Sequence, residues 1–169
     1  MFLFKGIVLC SIFLSSFYIG VLISKKYSNR VKELKEMKNA LNMFETKIKF
    51  TYASLPEIFE EISNKIENSV GEIFKKSVEK MNKLPAGKAW EEAIDEVNIN
   101  LKKEDKIIIK GLGRLLGKTD IEGQISEIKL VNNFLDTQIR LAEEEKLKNE
   151  KMYKTLGGIV GLAIVIILI

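Results

Sequence analysis

The sequence predicts an all-α protein, a helical bundle between two single transmembrane helices, with a long last helix running into the second of them. Three observations predict this. Proline is confined to Pro56 and Pro85. Apolar residues recur at spacings of three and four, and no stretch alternates apolar and polar residues for long enough to make a strand. Both ends of the chain are apolar and uncharged, whereas all of the charge except Lys5 falls within Lys25 to Lys154.

The first apolar run, Gly6 to Ser24, gives roughly 28 Å of helix against a hydrocarbon core of roughly 30 Å. Lys5 alone precedes it, while Lys25, Lys26, Arg30 and Lys32 follow. A cleaved signal peptide has the opposite flank order, so a retained span is expected. Leu9 is too bulky for the position before a lipoprotein cysteine, which leaves Cys10 as membrane-buried packing. The second run, Thr155 to Ile169, gives roughly 23 Å, extended by Tyr153 as an interfacial anchor and by a snorkelling Lys154. Lys146, Lys148, Lys151 and Lys154 flank it. The positive-inside rule then puts both flanks of the central segment in the cytoplasm. The expected segments are 1–24 (transmembrane), 25–154 (cytoplasmic helical domain) and 155–169 (transmembrane). Ser16 and Gly20 in the first span, and Gly157 and Gly161 in the second, form small-xxx-small steps that are candidates for close helix packing.

Between the spans, Val31, Leu34, Met37, Leu41, Phe44 and Ile48 mark a helix continuing straight from the first span. Ser54-Leu55-Pro56-Glu57 is a capping box that restarts a helix, with Ile58, Phe59, Ile62 and Ile66 as its stripe. Val70, Ile73, Phe74, Val78 and Met81 mark the next, which breaks at Pro85-Ala86-Gly87. Trp90, Ala93, Ile94 and Val97 form a short amphipathic helix with Trp90 as a core anchor. A helix over Lys103 to Leu116 follows. After the Gly117-Lys118 turn, Thr119-Asp120-Ile121-Glu122 reads as a second capping box. From there Ile121, Ile125, Ile128, Leu135, Ile139 and Ala142 keep one face, which serves either a neighbour in the same domain or a second copy in a homo-oligomer.

Composition narrows the function. The central segment holds 26 basic and 23 acidic residues, a net of +3, with both signs mixed along helical faces. That is a solvated surface without the basic stripe of a nucleic-acid binder. Histidine is absent and Cys10 is the lone cysteine, which excludes disulfides, zinc sites and Cys-His or Ser-His catalysis within one chain. No enzyme activity, cofactor or metal is expected. Gly113-Arg-Leu-Leu-Gly-Lys-Thr119 imitates a phosphate-binding loop, but the glycine needed five residues before Gly117 is Leu112, and no parallel strand precedes it. The structural reading is that Gly117 turns left-handed, Thr119 caps the next helix, and Gly111 and Gly113 allow close packing.

The runs Leu101-Lys-Lys-Glu-Asp105, Gly113-Arg-Leu-Leu-Gly-Lys-Thr-Asp120, Glu122-Gly-Gln124 and Lys148-Asn-Glu-Lys-Met-Tyr153 closely resemble the stage III sporulation protein AB family of endospore-forming bacteria. The basic exit Lys25-Lys26-Tyr27-Ser28, the Ser54 to Glu57 turn and Ala89-Trp90 extend the resemblance over essentially the whole chain. It implies a place in the secretion-like complex between mother cell and forespore, on the mother-cell side of the membrane surrounding the forespore. The implied role is similar to that of the type II secretion platform protein F: docking a cytoplasmic ATPase and contacting neighbouring membrane proteins, with no chemistry of its own. Gly113, Gly117, Asp120, Glu122 and Gln124 are then the candidate interaction surface. The alternative is a two-span sensor with an extracytoplasmic helical domain, which the lysine flanks oppose.

Overall fold

The computed structural model describes residues 2–51 and 53–168; Met1 and Ile169, the outer ends of the two expected spans, lie outside the described residues. Six α-helices follow in order: α1 (Phe2–Phe50), α2 (Leu55–Lys65), α3 (Ser69–Met81), α4 (Ala86–Glu96), α5 (Lys103–Gly111) and α6 (Ile121–Leu168), with a short 3-10 turn, Leu112–Arg114, after α5. No strand occurs among the described residues, and the all-α class holds. The chain divides into two compact units, Met1–Val31 with Leu141–Ile169, and Lys32–Arg140, the division falling inside α1 and α6.

In the Lys32–Arg140 unit the apolar stripes meet in one core. Leu34, Met37, Leu41 and Phe44 of α1, Ile58, Phe59 and Ile62 of α2, Val70, Ile73 and Phe74 of α3, and Ala89, Trp90, Ala93 and Ile94 of α4 are fully or almost fully buried. Helix α3 packs against both α2 and α4. At the centre, Phe59 meets Phe44, Phe74 and Trp90 edge-on at centroid separations of 5.2, 4.9 and 5.6 Å, and Phe74 meets Trp90 at 5.1 Å. Edge-to-face pairs of this kind add about 0.5–1.5 kcal/mol each beyond the area they bury. The indole Nε1 donates to the Ile109 carbonyl at 2.9 Å, so the largest buried side chain also satisfies α5.

Helix termini follow local chemistry. The Glu57 carboxylate accepts from the Ser54 amide at 2.9 Å, and the expected capping box forms at the start of α2. Asn68 caps α3, its Oδ1 accepting from the Val70 amide at 2.8 Å. Two expectations change. The helix over Lys103 to Leu116 ends at Gly111 and tightens into the 3-10 turn. Val78 and Met81 are only half-buried, while Ser77 is buried in their place with its hydroxyl donating to the Ile73 carbonyl at 2.7 Å.

Within this unit α1 and α6 are tied by polar contacts: Asn132 Nδ2 donates to Asn42 Oδ1 at 2.9 Å, Lys38 pairs with Asp136, and Lys129 reaches Glu45 at 3.8 Å. The Glu33 carboxylate on α1 accepts from both the amide and the side-chain Nδ2 of Asn100, at 2.7 and 2.8 Å, and so fixes the loop after α4. Burial pushes its carboxyl above the ordinary value, and the two Asn100 donors pull it part of the way back.

The other unit is apolar on its outside. Helix α1 contains a stretch long and apolar enough to cross a membrane, and that stretch is hardly covered by protein. Ile7, Leu14 and Ile19 on α1, and Ile159, Leu162 and Ile166 on α6, are all more than half exposed. A core helix of a water-soluble fold would bury such side chains.

Replacing Trp90 should be the most damaging single change in the core. Trp90→Ala is expected to cost about 3–5 kcal/mol. Trp90→Phe, which keeps a ring but loses the indole bond to an Ile109 carbonyl that the Leu112 amide still serves, is expected to cost about 0.5–1.5 kcal/mol beyond the lost volume. Thermal unfolding of the full chain in detergent, followed by circular dichroism, checks both; an unchanged Trp90→Ala transition would contradict the role given to this side chain.

Candidate interaction site

The corner between α5 and α6 is built on two glycines that touch. A Cβ on Gly87, in the first turn of α4, would fall on the carbonyl oxygen of Gly113, and a Cβ on Gly113 would lie 2.8 Å from the Gly87 carbonyl. Backbone therefore meets backbone with no room for a side chain, and the 3-10 turn is seated on the start of α4. Gly117 has φ 70°, the left-handed region, and lies over Ala86 and Leu55. Leu112 and Leu116 are buried on either side of the turn, anchoring it from within. Gly111 has nothing closer than 3.9 Å to the place a Cβ would occupy, so close packing is the property of Gly113 and not of Gly111.

Helix α6 is capped by Asp120 and not by Thr119. The Asp120 Oδ1 accepts from the Gly123 amide at 2.9 Å, and its carbonyl accepts from the Gln124 amide at 3.1 Å. The expected Thr119 box does not form: Asp120 takes the cap, and the third helical position falls to Gly123, which has no side chain to reach back and where a Cβ would lie only 2.8 Å from the Thr119 hydroxyl. Gln124 Nε2 donates to the Thr119 carbonyl at 3.2 Å, which folds the turn back on the helix.

Of the candidate surface residues, Gly117, Asp120 and Glu122 are exposed, Gln124 is half-buried, and Gly113 is buried against Gly87. Asp120 and Gln124 are engaged in holding the turn. Glu122 is exposed and makes no hydrogen bond or ion pair among the described residues. The exposed groups of the corner are thus the Glu122 carboxylate, Asp120 and the left-handed bend at Gly117. The imitation of a phosphate loop is resolved as well: the segment follows helix α5, and its glycines serve helix packing and a left-handed turn.

The second set of candidates meets in the apolar unit. Ser16 donates through its hydroxyl to the Gly157 carbonyl at 2.9 Å. A Cβ on Gly20 would lie 3.1 Å from the Gly157 Cα, and one on Gly161 would lie 3.0 Å from the Phe13 ring and 3.3 Å from the Ser16 Cβ. The two helices run antiparallel here, and all four small residues lie on the shared face. Beyond that crossing Tyr27 stacks on Tyr153 at 5.8 Å, and Arg30, 5% exposed, pairs with Glu145 at 2.7 Å.

The residues that sequence reasoning passed over are Gly87, read as a breaker beside Pro85, and the Asn42–Asn132 and Glu33–Asn100 pairs. A glycine just inside a helix start was the available signal for the first. The polar pairs join positions 90 and 67 residues apart and leave no local trace.

Comparison with known proteins agrees with this architecture. The family model described as stage III sporulation protein AB matches residues 5–169. The chain belongs to the stage III sporulation protein AB family. A relative of that name from Bacillus subtilis (strain 168) is 28% identical over 155 residues, covering 89% of this chain and 91% of its own. A solved structure of a stage III sporulation protein AB superposes with a TM-score of 0.66 at 23% identity, over 71% of this chain and 98% of that one, and shows the same fold. As a member of the stage III sporulation protein AB family, the chain is a sporulation protein.

Two substitutions separate the parts of the corner. Asp120→Ala should cost about 1 kcal/mol through loss of the cap, with Asp120→Asn recovering most of it. Gly113→Ala should cost about 1–3 kcal/mol, because neither backbone can withdraw. Denaturant unfolding of the full-length variants reads both. A neutral Gly113→Ala would contradict the contact with Gly87.

Proposed function

We propose that this chain is a non-enzymatic membrane adaptor of the sporulation apparatus. Its helical unit docks the cytoplasmic ATPase of the complex between mother cell and forespore and relays its cycle to neighbouring membrane proteins. In this reading α1 and α6 form a hairpin of two spans and the helical unit lies in the mother-cell cytoplasm. The observation that carries the anchor is the antiparallel crossing at Ser16, Gly20, Gly157 and Gly161, flanked by outward-facing isoleucine and leucine. Small residues that let backbones approach are what holds helices together where no hydrophobic force separates protein from solvent. Lysines 25, 26, 151 and 154 all follow or precede the apolar stretches on their inward side, which supports the orientation.

The docking surface in this reading is the corner from Gly113 to Gln124. Its rigidity suits a relay, since a bend seated on α4 by two touching glycines transmits force without first deforming. Glu122 is the residue best placed to meet a basic group on the ATPase, because its charge is not used within the chain. Analogy to the type II secretion platform protein F supports the role through the family and not through a site.

The test uses full-length protein in nanodiscs and the purified sporulation ATPase, with and without nucleotide. Glu122→Lys reverses the exposed charge without touching the Asp120 cap. Saturable binding is expected, weakened about tenfold by the reversal, equivalent to about 1.4 kcal/mol. Equal binding by a folded Glu122→Lys variant would move the surface elsewhere, and absence of binding by the wild type would contradict the docking role.

A further inference from the structure

The hairpin of α2 and α3 carries a groove of about 490 Å³ that neither the core nor the α5–α6 corner uses. Its floor is apolar, with half-buried Ile66 and Val78. Gly71 is what makes it a groove: a Cβ there would collide with the Ile66 carbonyl, so the helices close backbone to backbone and leave a hollow outside the turn. The rim has the opposite sign to the chain as a whole. Glu60, Glu67, Glu72 and Glu79 surround it with Lys75 as the one cation of the lining, in a protein whose net charge is +4.

Several acidic side chains elsewhere in this unit are paired within the chain, although others, Glu122 among them, are not. Glu61 pairs with Lys47, Glu96 with Lys76 and Lys80, Asp95 with Lys110, and Asp136 with Lys38. In the rim, Glu72 reaches Lys76 at 3.7 Å, whereas Glu60, Glu67 and Glu79 have no cation within ion-pair distance among the described residues. Three carboxylates without an ion pair, of which Glu79 acts on Lys76 at longer range, stand around an apolar floor and give both halves of a recognition surface: a patch that gains from being covered and a charge pattern that selects the covering group.

We propose that this groove docks a lysine- or arginine-bearing amphipathic helix of a partner protein, its apolar side on Ile66 and Val78 and its cations on Glu60, Glu67 and Glu79. Long basic side chains suit the site because their aliphatic stems extend the apolar contact while the charged ends reach the rim. An acidic or phosphate-bearing partner is repelled by the same rim. The surface is separate from the α5–α6 corner, and the inference stands whether or not that corner meets the ATPase.

The test uses the full chain in zwitterionic phosphatidylcholine nanodiscs and, as probe, a fluorescent amphipathic peptide of leucine and lysine, with empty nanodiscs as background. The triple variant E60Q/E67Q/E79Q is compared with E104Q/E127Q/E144Q, which removes the same charge from other places. Binding above background is expected for the lysine peptide, weakened by added salt, absent for the same peptide carrying glutamate, and reduced about tenfold by the groove variant but less than about twofold by the control. Equal loss in both variants, each retaining its helical circular dichroism, would reduce the effect to overall charge and overturn the proposal. Binding no stronger than to empty nanodiscs would do the same. Self-association of the wild type that the groove variant abolishes would assign the groove to a second copy and overturn the choice of partner.

Discussion

Burial of Trp90 is the constraint from which the rest of the helical unit follows. The indole is fully buried, meets two phenylalanines edge-on and donates its one proton to the carbonyl of Ile109. A tryptophan in a core needs a partner for that N–H. Here the partner is the backbone of α5, which fixes the distance between α4 and α5. With that distance set, the chain leaving α5 passes over the first turn of α4, and only glycine at both Gly87 and Gly113 allows it. The bend that follows, with Gly117 left-handed and Asp120 capping α6, is therefore positioned from the core outward. The geometry of this backbone bend is inherited from a packing decision some twenty residues earlier in the chain.

Helix order, the long first and last helices and most of the core are legible in the spacing of apolar residues. Leu34 to Ile48, Ile58 to Ile62, Val70 to Phe74 and Trp90 to Val97 are buried where the period of the helix puts them. The failures are physical and local. Ile121 continues the α6 stripe in sequence but is 50% exposed, because it is the first helical residue and nothing packs over the end. Thr119 and Asp120 are both good caps, and the sequence alone does not rank them; the close approach of Gly123 to the Thr119 hydroxyl does. Gly111 and Gly113 look equivalent in the sequence, and only the crossing with Gly87 tells them apart.

Polar residues in the interior show a second limit. Arg30 sits at the end of an apolar helix among other basic residues and reads as one more charge in the cytoplasmic flank. In the structure it is buried and paired with Glu145, beside the stacked Tyr27 and Tyr153. Glu33 three residues on is also buried, in the other unit, holding Asn100. Such pairs contribute little net stability but penalise any other register, since a slip leaves a buried charge alone. The same logic applies to Asn42 and Asn132. Their role in choosing one arrangement over its neighbours is invisible until both partners are seen.

The central claim is that the helical unit stands between two spans on the cytoplasmic side. Substituted-cysteine labelling tests it most directly, because Cys10 is the lone cysteine and Cys10→Ser leaves a clean background. Single cysteines at exposed Asn39 and Glu144, introduced as Asn39→Cys and Glu144→Cys, would be treated with a membrane-impermeant maleimide in intact and in permeabilised cells. The account predicts labelling of both only after permeabilisation. Labelling of either in intact cells would contradict the hairpin and return the protein to a domain outside the membrane.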